Sequence, residues 1–211
     1  MQTLPLLTAL VAGFAHALEA DHMAAVTTFV SRRPRPLEAV GFGLRWGMGH
    51  SAAIFVAGSA LIALGVRLPD GLARGLEFGV GTMLLGLGLW LLWSVLHERA
   101  HRLADGPGHA HGHQHRHGSL WVGVAHGLAG TAPLVAILPV ATAHSPWGAG
   151  AYLLLFGVGT TLAMGLYAVV AGLVFHHAGS RVRALGGTLR AATALGSAAL
   201  GVVWMAGALG I

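Results

Sequence analysis

Six apolar runs, each about as long as the 20 residues a helix needs to cross a ~30 Å hydrocarbon core, occupy most of this chain. They fall at roughly 3–30, 38–65, 75–97, 120–143, 149–175 and 191–210. Helix-breaking punctuation separates them: Arg32-Arg33-Pro34-Arg35-Pro36 after the first, Arg67-Leu68-Pro69-Asp70-Gly71 after the second, and Ser145-Pro146-Trp147-Gly148 between the fourth and fifth. Only 9% of the 211 residues are charged, against about 25% in soluble domains, so most of the surface must face lipid rather than water. The expected fold is therefore an all-α membrane protein of six transmembrane helices. Ala15-His16-Ala17 imitates a signal-peptidase site, but no positive charge precedes the apolar run, so the first span is expected to be retained.

The arginines give an orientation, because short cytoplasmic loops keep positive charge. Arg32, Arg33 and Arg35, then Arg99, Arg102 and Arg116, then Arg181, Arg183 and Arg190 all fall on one side of the proposed membrane. Arg67 and Arg74 fall on the other, and Arg45 lies inside the second span. Both termini are thus expected outside the cytoplasm, in a multi-pass protein of a bacterial-type inner membrane. The basic charge balance is a topology signal, and no aromatic-interleaved basic patch suggests nucleic acid.

An internal repeat is visible. Gly13-Phe14-Ala15-His16-Ala17-Leu18 is echoed by Gly123-Val124-Ala125-His126-Gly127-Leu128, and Phe42-Gly43 by Phe156-Gly157. Two copies of a three-span unit insert with opposite orientation, which predicts a 3+3 inverted repeat: residues 1–97, a histidine-rich cytoplasmic loop at 98–119, and residues 120–211. Gly43-x3-Gly47 and Gly75-x3-Gly79 are small-residue pairs that favour close helix packing in lipid.

The first span carries His16-Ala17-Leu18-Glu19-Ala20-Asp21-His22, four ionisable residues within an apolar run. A charge at bilayer depth costs about 2.5–3.5 kcal/mol on insertion scales, so such groups persist where they pair, line a cavity or bind an ion. Imidazole and carboxylate donors, in a chain without cysteine, suit nickel, cobalt or zinc rather than copper(I). On a regular helix Glu19 falls within about 60° of His16, but His22 lies about 120° away and Asp21 about 140° away on the other side. Either the helix breaks here or these groups serve different roles. His50, in Gly47-Met48-Gly49-His50-Ser51, can complete a ligand set begun by the first span. His126 precedes Gly127, Gly130 and Pro133; with Glu19 it is a further candidate ligand, and an interhelical hydrogen bond is the equal alternative.

The third loop reads His109-Ala-His111-Gly-His113-Gln-His115-Arg-His117 after His97 and His101, a tract suited to capturing divalent ions. His97-Glu98-Arg99-Ala100-His101 also matches the His-Glu-x-x-His pattern of zinc proteases, but no later motif supplies a third ligand. A haem-binding subunit is the other rival from a different class. The expectation is a carrier rather than an enzyme, with no permanent cofactor.

At His16-x4-Asp21-His22 the chain resembles the nickel/cobalt transporter superfamily, whose signature is a His-x4-Asp-His element in a transmembrane helix. Gly49-His50-Ser51 is similar to that family's Leu-Gly-His-Ser element, and His126-Gly127-Leu128-Ala129-Gly130 to a segment of its short UreH-type members. The resemblance implies that His16, Asp21, His22 and His50 handle Ni2+ or Co2+ as the transported substrate. Uptake is expected ahead of efflux, with the lipid bilayer and cytosolic nickel-enzyme maturation proteins as surroundings and partners. The acidic motifs that longer permeases of the family carry in their second half are missing: Phe156-Gly157-Val158-Gly159-Thr160-Thr161 holds no acid. This departure, with the histidine-rich loop, brings the chain nearer the short UreH-type and efflux branches.

Overall fold

The computed structural model describes residues 3–32, 35–65, 69–105, 118–129, 146–181 and 183–211. All of the regular structure among them is helical: α1 (Thr3–His16), α2 (Ala20–Val30), α3 (Pro36–Leu64), α4 (Asp70–Asp105), α5 (Gly118–Ala129), α6 (Pro146–Arg181) and α7 (Arg183–Leu209). The chain is an all-α, multi-pass membrane protein. Within α3, α4, α6 and α7, the stretches Pro36–Leu64, Asp70–Glu98, Trp147–Ala178 and Gly186–Leu209 are long and apolar enough to cross a bilayer, while α1 and α5 contain shorter apolar stretches. Leu89, Trp93, Leu154, Leu162, Leu166 and Val203 point outward from these helices, as side chains solvated by lipid should.

Departures from the sequence reading concern boundaries: α6 runs to Arg181 rather than 175, and α7 begins at Arg183 rather than 191. The first apolar run is two helices, α1 and α2, with the break at residues 17–19. The third runs past the expected limit at 97 to Asp105, which places His97 and His101 on a helix. The second half of the fourth expected span lies outside the described residues. α3 is delimited as its sequence suggests: Pro36 starts it, where a missing N–H costs nothing, and Gly65 ends it in the left-handed conformation, φ 62°, returning its N–H to Ile62 O at 3.2 Å.

Packing is dominated by backbone contacts at glycine. α1 lies on α6, α5 on α3, α3 on α6 and α4 on α7. A Cβ at Gly13 would run into Phe156 O, and one at Gly123 into Trp46 O. Gly49 abuts Leu120 O, and Gly159 abuts Leu10 O; Gly47 abuts Thr161, and Gly157 abuts Ser51. Within each couple the second contact is the first with the two halves exchanged, shifted by the interval from Gly13 to Gly123. This register matches Gly47 with Gly157, so the resemblance of Phe42-Gly43 to Phe156-Gly157 is not the correspondence that the contacts follow. α4 and α7 meet in the same reciprocal way: Gly81 faces Gly201 O, and Gly201 faces Gly81 O. Gly43 and Gly47 thus make a close approach, to α6, whereas among the described residues a Cβ on Gly75 or Gly79 would meet nothing within 4 Å. The seam in α4 that the Gly75 pair suggested is carried instead by Gly81 and Gly88.

Buried between these helices, Phe42, Trp46, Val26, Val30, Leu84 and Met164 form the principal core, with a second cluster around Ala9, Ile54, Leu153 and Phe156. At one end Arg190 grips Glu98 with two hydrogen bonds, 2.9 and 3.0 Å, joining α7 to α4, and Arg32 lies 4.5 Å over the Trp90 ring. His97 stacks on Trp93 at 4.9 Å. The glutamate of the protease-like pattern is therefore half of an interhelical clamp. Glu98→Gln should lower stability by about 1 kcal/mol, or roughly 2–4 °C in a thermal melt of the purified chain, while leaving metal binding unchanged.

Candidate metal centre

The site is built where α1 stops. Ala17 N still reaches back to Gly13 O, but Leu18 N and Glu19 N bond to Ala15 O and His16 O, three residues back, which tightens the turn. Glu19 is extended (ψ 153°), and Met23 N to Glu19 O begins the ladder of α2. No glycine or proline occupies residues 17–19. Gly13 O also accepts the Thr160 hydroxyl at 3.0 Å, so α6 holds the exposed end of α1. The break turns His22 back onto His16, ring centroids 4.5 Å apart, and resolves the angular conflict that a continuous helix would impose.

His50 reaches the same point from the middle of α3, and His126 from the last turn of α5. His16, Asp21, His22, His50 and His126 are all buried, the last three histidines completely. His50 Nε2 lies 3.3 Å from His16 Nε2 and 3.4 Å from His22 Nε2. These separations are long for hydrogen bonds, whose nitrogen donors sit at about 2.9–3.0 Å. They match the ~3.4 Å edge of a tetrahedron of nitrogens placed about 2.1 Å from a metal ion. With all three ligand atoms within 4.8 Å of one another, the set can close around one divalent ion.

Asp21 stands behind this triad. Its Oδ1 takes the Nδ1–H of His22 at 2.9 Å, a tautomer assigned from the network, which leaves the His22 Nε2 lone pair directed at His16 and His50. A carboxylate that accepts the far N–H of a ligating histidine fixes the ring and raises its basicity. The other oxygen, Oδ2, is 3.2 Å from His126 Nε2. Asp21 is the one fully engaged acid here: it is the only buried carboxylate among the described residues, whereas Glu19 is half-exposed. Glu19 Oε1 approaches His16 Nδ1 to 3.1 Å without hydrogen-bond alignment. Asp21→Asn keeps the shape but removes the charge and should weaken Ni2+ binding by about 10–100-fold, measured by titration calorimetry on the purified chain. Unchanged affinity would show that the Asp21–His22 contact plays no part in holding metal.

Sequence reasoning singled out each of these residues except those that frame them. Phe156 packs against the His16 ring at 5.4 Å, and Trp46 lies 5.8 Å from His126, its buried Nε1 without a partner among the described residues. Ser51 ties α3 to α6 through Gly157 O at 2.9 Å and Thr161 Oγ1 at 3.2 Å. The signal for these was the acid-free Phe156–Thr161 stretch, whose hydroxyls and glycines carry the contacts. Arg45, inside the second expected span, donates to Ser119 Oγ at 3.3 Å. The tract from His109 to His117 lies outside the described residues, as does the side chain of His101; His97 is remote from the cluster, on α4 beside Trp93.

Over 179 residues the chain is 31% identical to the urease accessory protein UreH of Bacillus sp. (strain TB-90), covering 82% of this chain and 78% of that one. The chain belongs to the UreH-type nickel/cobalt transporter family. A second relative is the Arabidopsis thaliana chloroplast protein FOR GROWTH AND FERTILITY 2, 28% identical over 177 residues; the match takes in 78% of this chain and spans just under half, 46%, of that protein. No family model matches the chain, and no solved structure does. In this UreH-type protein the signature elements His16-x4-Asp21-His22 and Gly49-His50-Ser51 lie on three different helices, and their imidazoles converge in space.

Proposed function

We propose that this UreH-type protein carries Ni2+, with Co2+ as a second cargo, across the inner membrane in the direction of uptake. The observation that carries the proposal is the buried convergence of His16, His22 and His50, three nitrogen donors spaced for one ion at the junction of a broken helix. Broken helices that bring their ends together mid-membrane are how many carriers make a polar site without exposing backbone to lipid. Asp21 braces the set and supplies negative charge to a divalent cation. The donors are nitrogen and oxygen, which suits nickel and cobalt chemistry.

In this reading six spans form two inverted three-helix repeats, residues 1–97 and 120–211, with both termini outside the cytoplasm. The reciprocal glycine contacts support it, because two units related by a two-fold axis must touch through exchanged copies of the same residues. The histidines at 97–117 would collect ions at the cytoplasmic face. The relative named as a urease accessory protein supports delivery to maturation proteins of a nickel enzyme. The test is radioactive nickel flux into proteoliposomes holding the purified chain in known orientation, with and without a proton gradient. Accumulation above protein-free vesicles from the non-cytoplasmic face is expected. Flux only toward that face would establish export, and none in either direction would overturn transport.

A further inference from the structure

The first ion site uses His22 Nε2, and His22 belongs also to a second set of ligand atoms. Asp21, His22 and His126 offer one donor each within 4.8 Å of one another, all three buried. His126 Nε2 is 3.2 Å from Asp21 Oδ2, and the His22 and His126 rings are 4.4 Å apart. His126 Nδ1 is buried with no hydrogen-bond partner among the described residues, as are the Nδ1 atoms of His16 and His50. We infer that Asp21, His22 and His126 form a second ion station, occupied alternately with the His16–His22–His50 station and sharing His22 with it.

Three features of the geometry support a relay over two independent sites. His22 points Nε2 at His50 and Nδ1 at Asp21, so a single neutral ring cannot serve both stations at once. Its terminal torsion is of the broad, two-fold kind, so turning the ring can present a nitrogen to one side and then the other. His126 also occupies in α5 the place that His16 occupies in α1: Gly13 and Gly123, three residues before each, make the same backbone contact in exchanged halves. One histidine from each half thus packs against the shared ring, at 4.5 and 4.4 Å. The ion would pass from the set completed by His16 and His50 to the set completed by His126 while never leaving His22.

This inference rests on the transport reading and can fail separately from it. The probe is Co2+, whose visible absorption reports its ligands, added to the full-length chain in detergent and compared with nickel flux in proteoliposomes. Wild type should saturate at one Co2+ per chain. His50→Ala should still bind one ion, at least 10-fold more weakly and with an altered spectrum, and the His50→Ala/His126→Ala pair should lose that binding. His126→Ala should keep the wild-type spectrum yet transport at least 10-fold more slowly. His126→Gln, which can still donate to Asp21 but lacks an imidazole, should be as slow; transport at the wild-type rate by the glutamine variant would make His126 a brace and overturn the second station. Two ions bound at once by wild type, or residual binding by His50→Ala that survives loss of His126, would overturn it as well. Wild type that binds no Co2+ would defeat the transport reading together with this one.

Discussion

His50→Ala should bring nickel accumulation by cells or proteoliposomes down to background, a loss of roughly 100-fold or more. The magnitude follows from position in the ligand set: removing a group that merely orients a ligand costs about 10–100-fold in metal affinity, so removing the nitrogen that faces both other imidazoles should cost more. His50 is the hub, 3.3 Å from His16 Nε2 and 3.4 Å from His22 Nε2, about 21 Å along α3 from Pro36 and so near mid-membrane. The variant should nevertheless fold. The close contacts of this part of α3 run through backbone, Gly49 to Leu120 O and Gly127 to His50 O, and none needs the imidazole. Size-exclusion chromatography and a thermal melt beside the flux assay separate the two effects. A folded His50→Ala protein that accumulates nickel at the wild-type rate would remove the triad from the transport path.

Much of this centre could be read from the chain, for a physical reason: lipid makes ionisable groups conspicuous. Four within seven apolar positions have no inexpensive explanation, and the angular conflict among His16, Asp21 and His22 implied either a broken helix or divided roles. The helix does break, at residues 17–19, and Asp21 accepts a hydrogen bond from His22 Nδ1. The position of the break was not legible. Nothing in the residues at 17–19 marks it, and the contact seen beside it, the Thr160 hydroxyl on Gly13 O, comes from a residue far away in sequence. The small-residue pairs show the same limit. Gly43-x3-Gly47 and Gly75-x3-Gly79 have equal spacing, yet only the first meets a neighbouring helix, because spacing describes one helix face and says nothing of what lies opposite. His126 was legible as a membrane histidine that echoes His16, but its contact with Asp21 required the fold.

Gly13→Leu and Gly123→Leu should each prevent the chain from assembling, lowering the melting temperature of any recovered protein by roughly 10 °C or abolishing a monodisperse peak in detergent. Overpacking a core usually costs about 1–3 kcal/mol because side chains can shift. Here the atoms in the way are main-chain carbonyls, Phe156 O for Gly13 and Trp46 O for Gly123, and each short helix would have to move off the long helix it lies on to admit a side chain. In lipid that separation is not offset by hydrophobic burial elsewhere, since packing itself drives the helices together. Gly75→Leu and Gly79→Leu are the matched controls: they add the same volume where nothing lies within 4 Å, and they should melt close to wild type. The pairing of the first two variants carries a further consequence. If the halves are copies related by a two-fold axis, the α1–α6 and α5–α3 contacts are one contact made twice, and the two substitutions should be similarly damaging. A Gly123→Leu protein that folds and carries nickel normally while Gly13→Leu does not would mean that the reciprocal geometry has no energetic counterpart, and the repeat would lose its support.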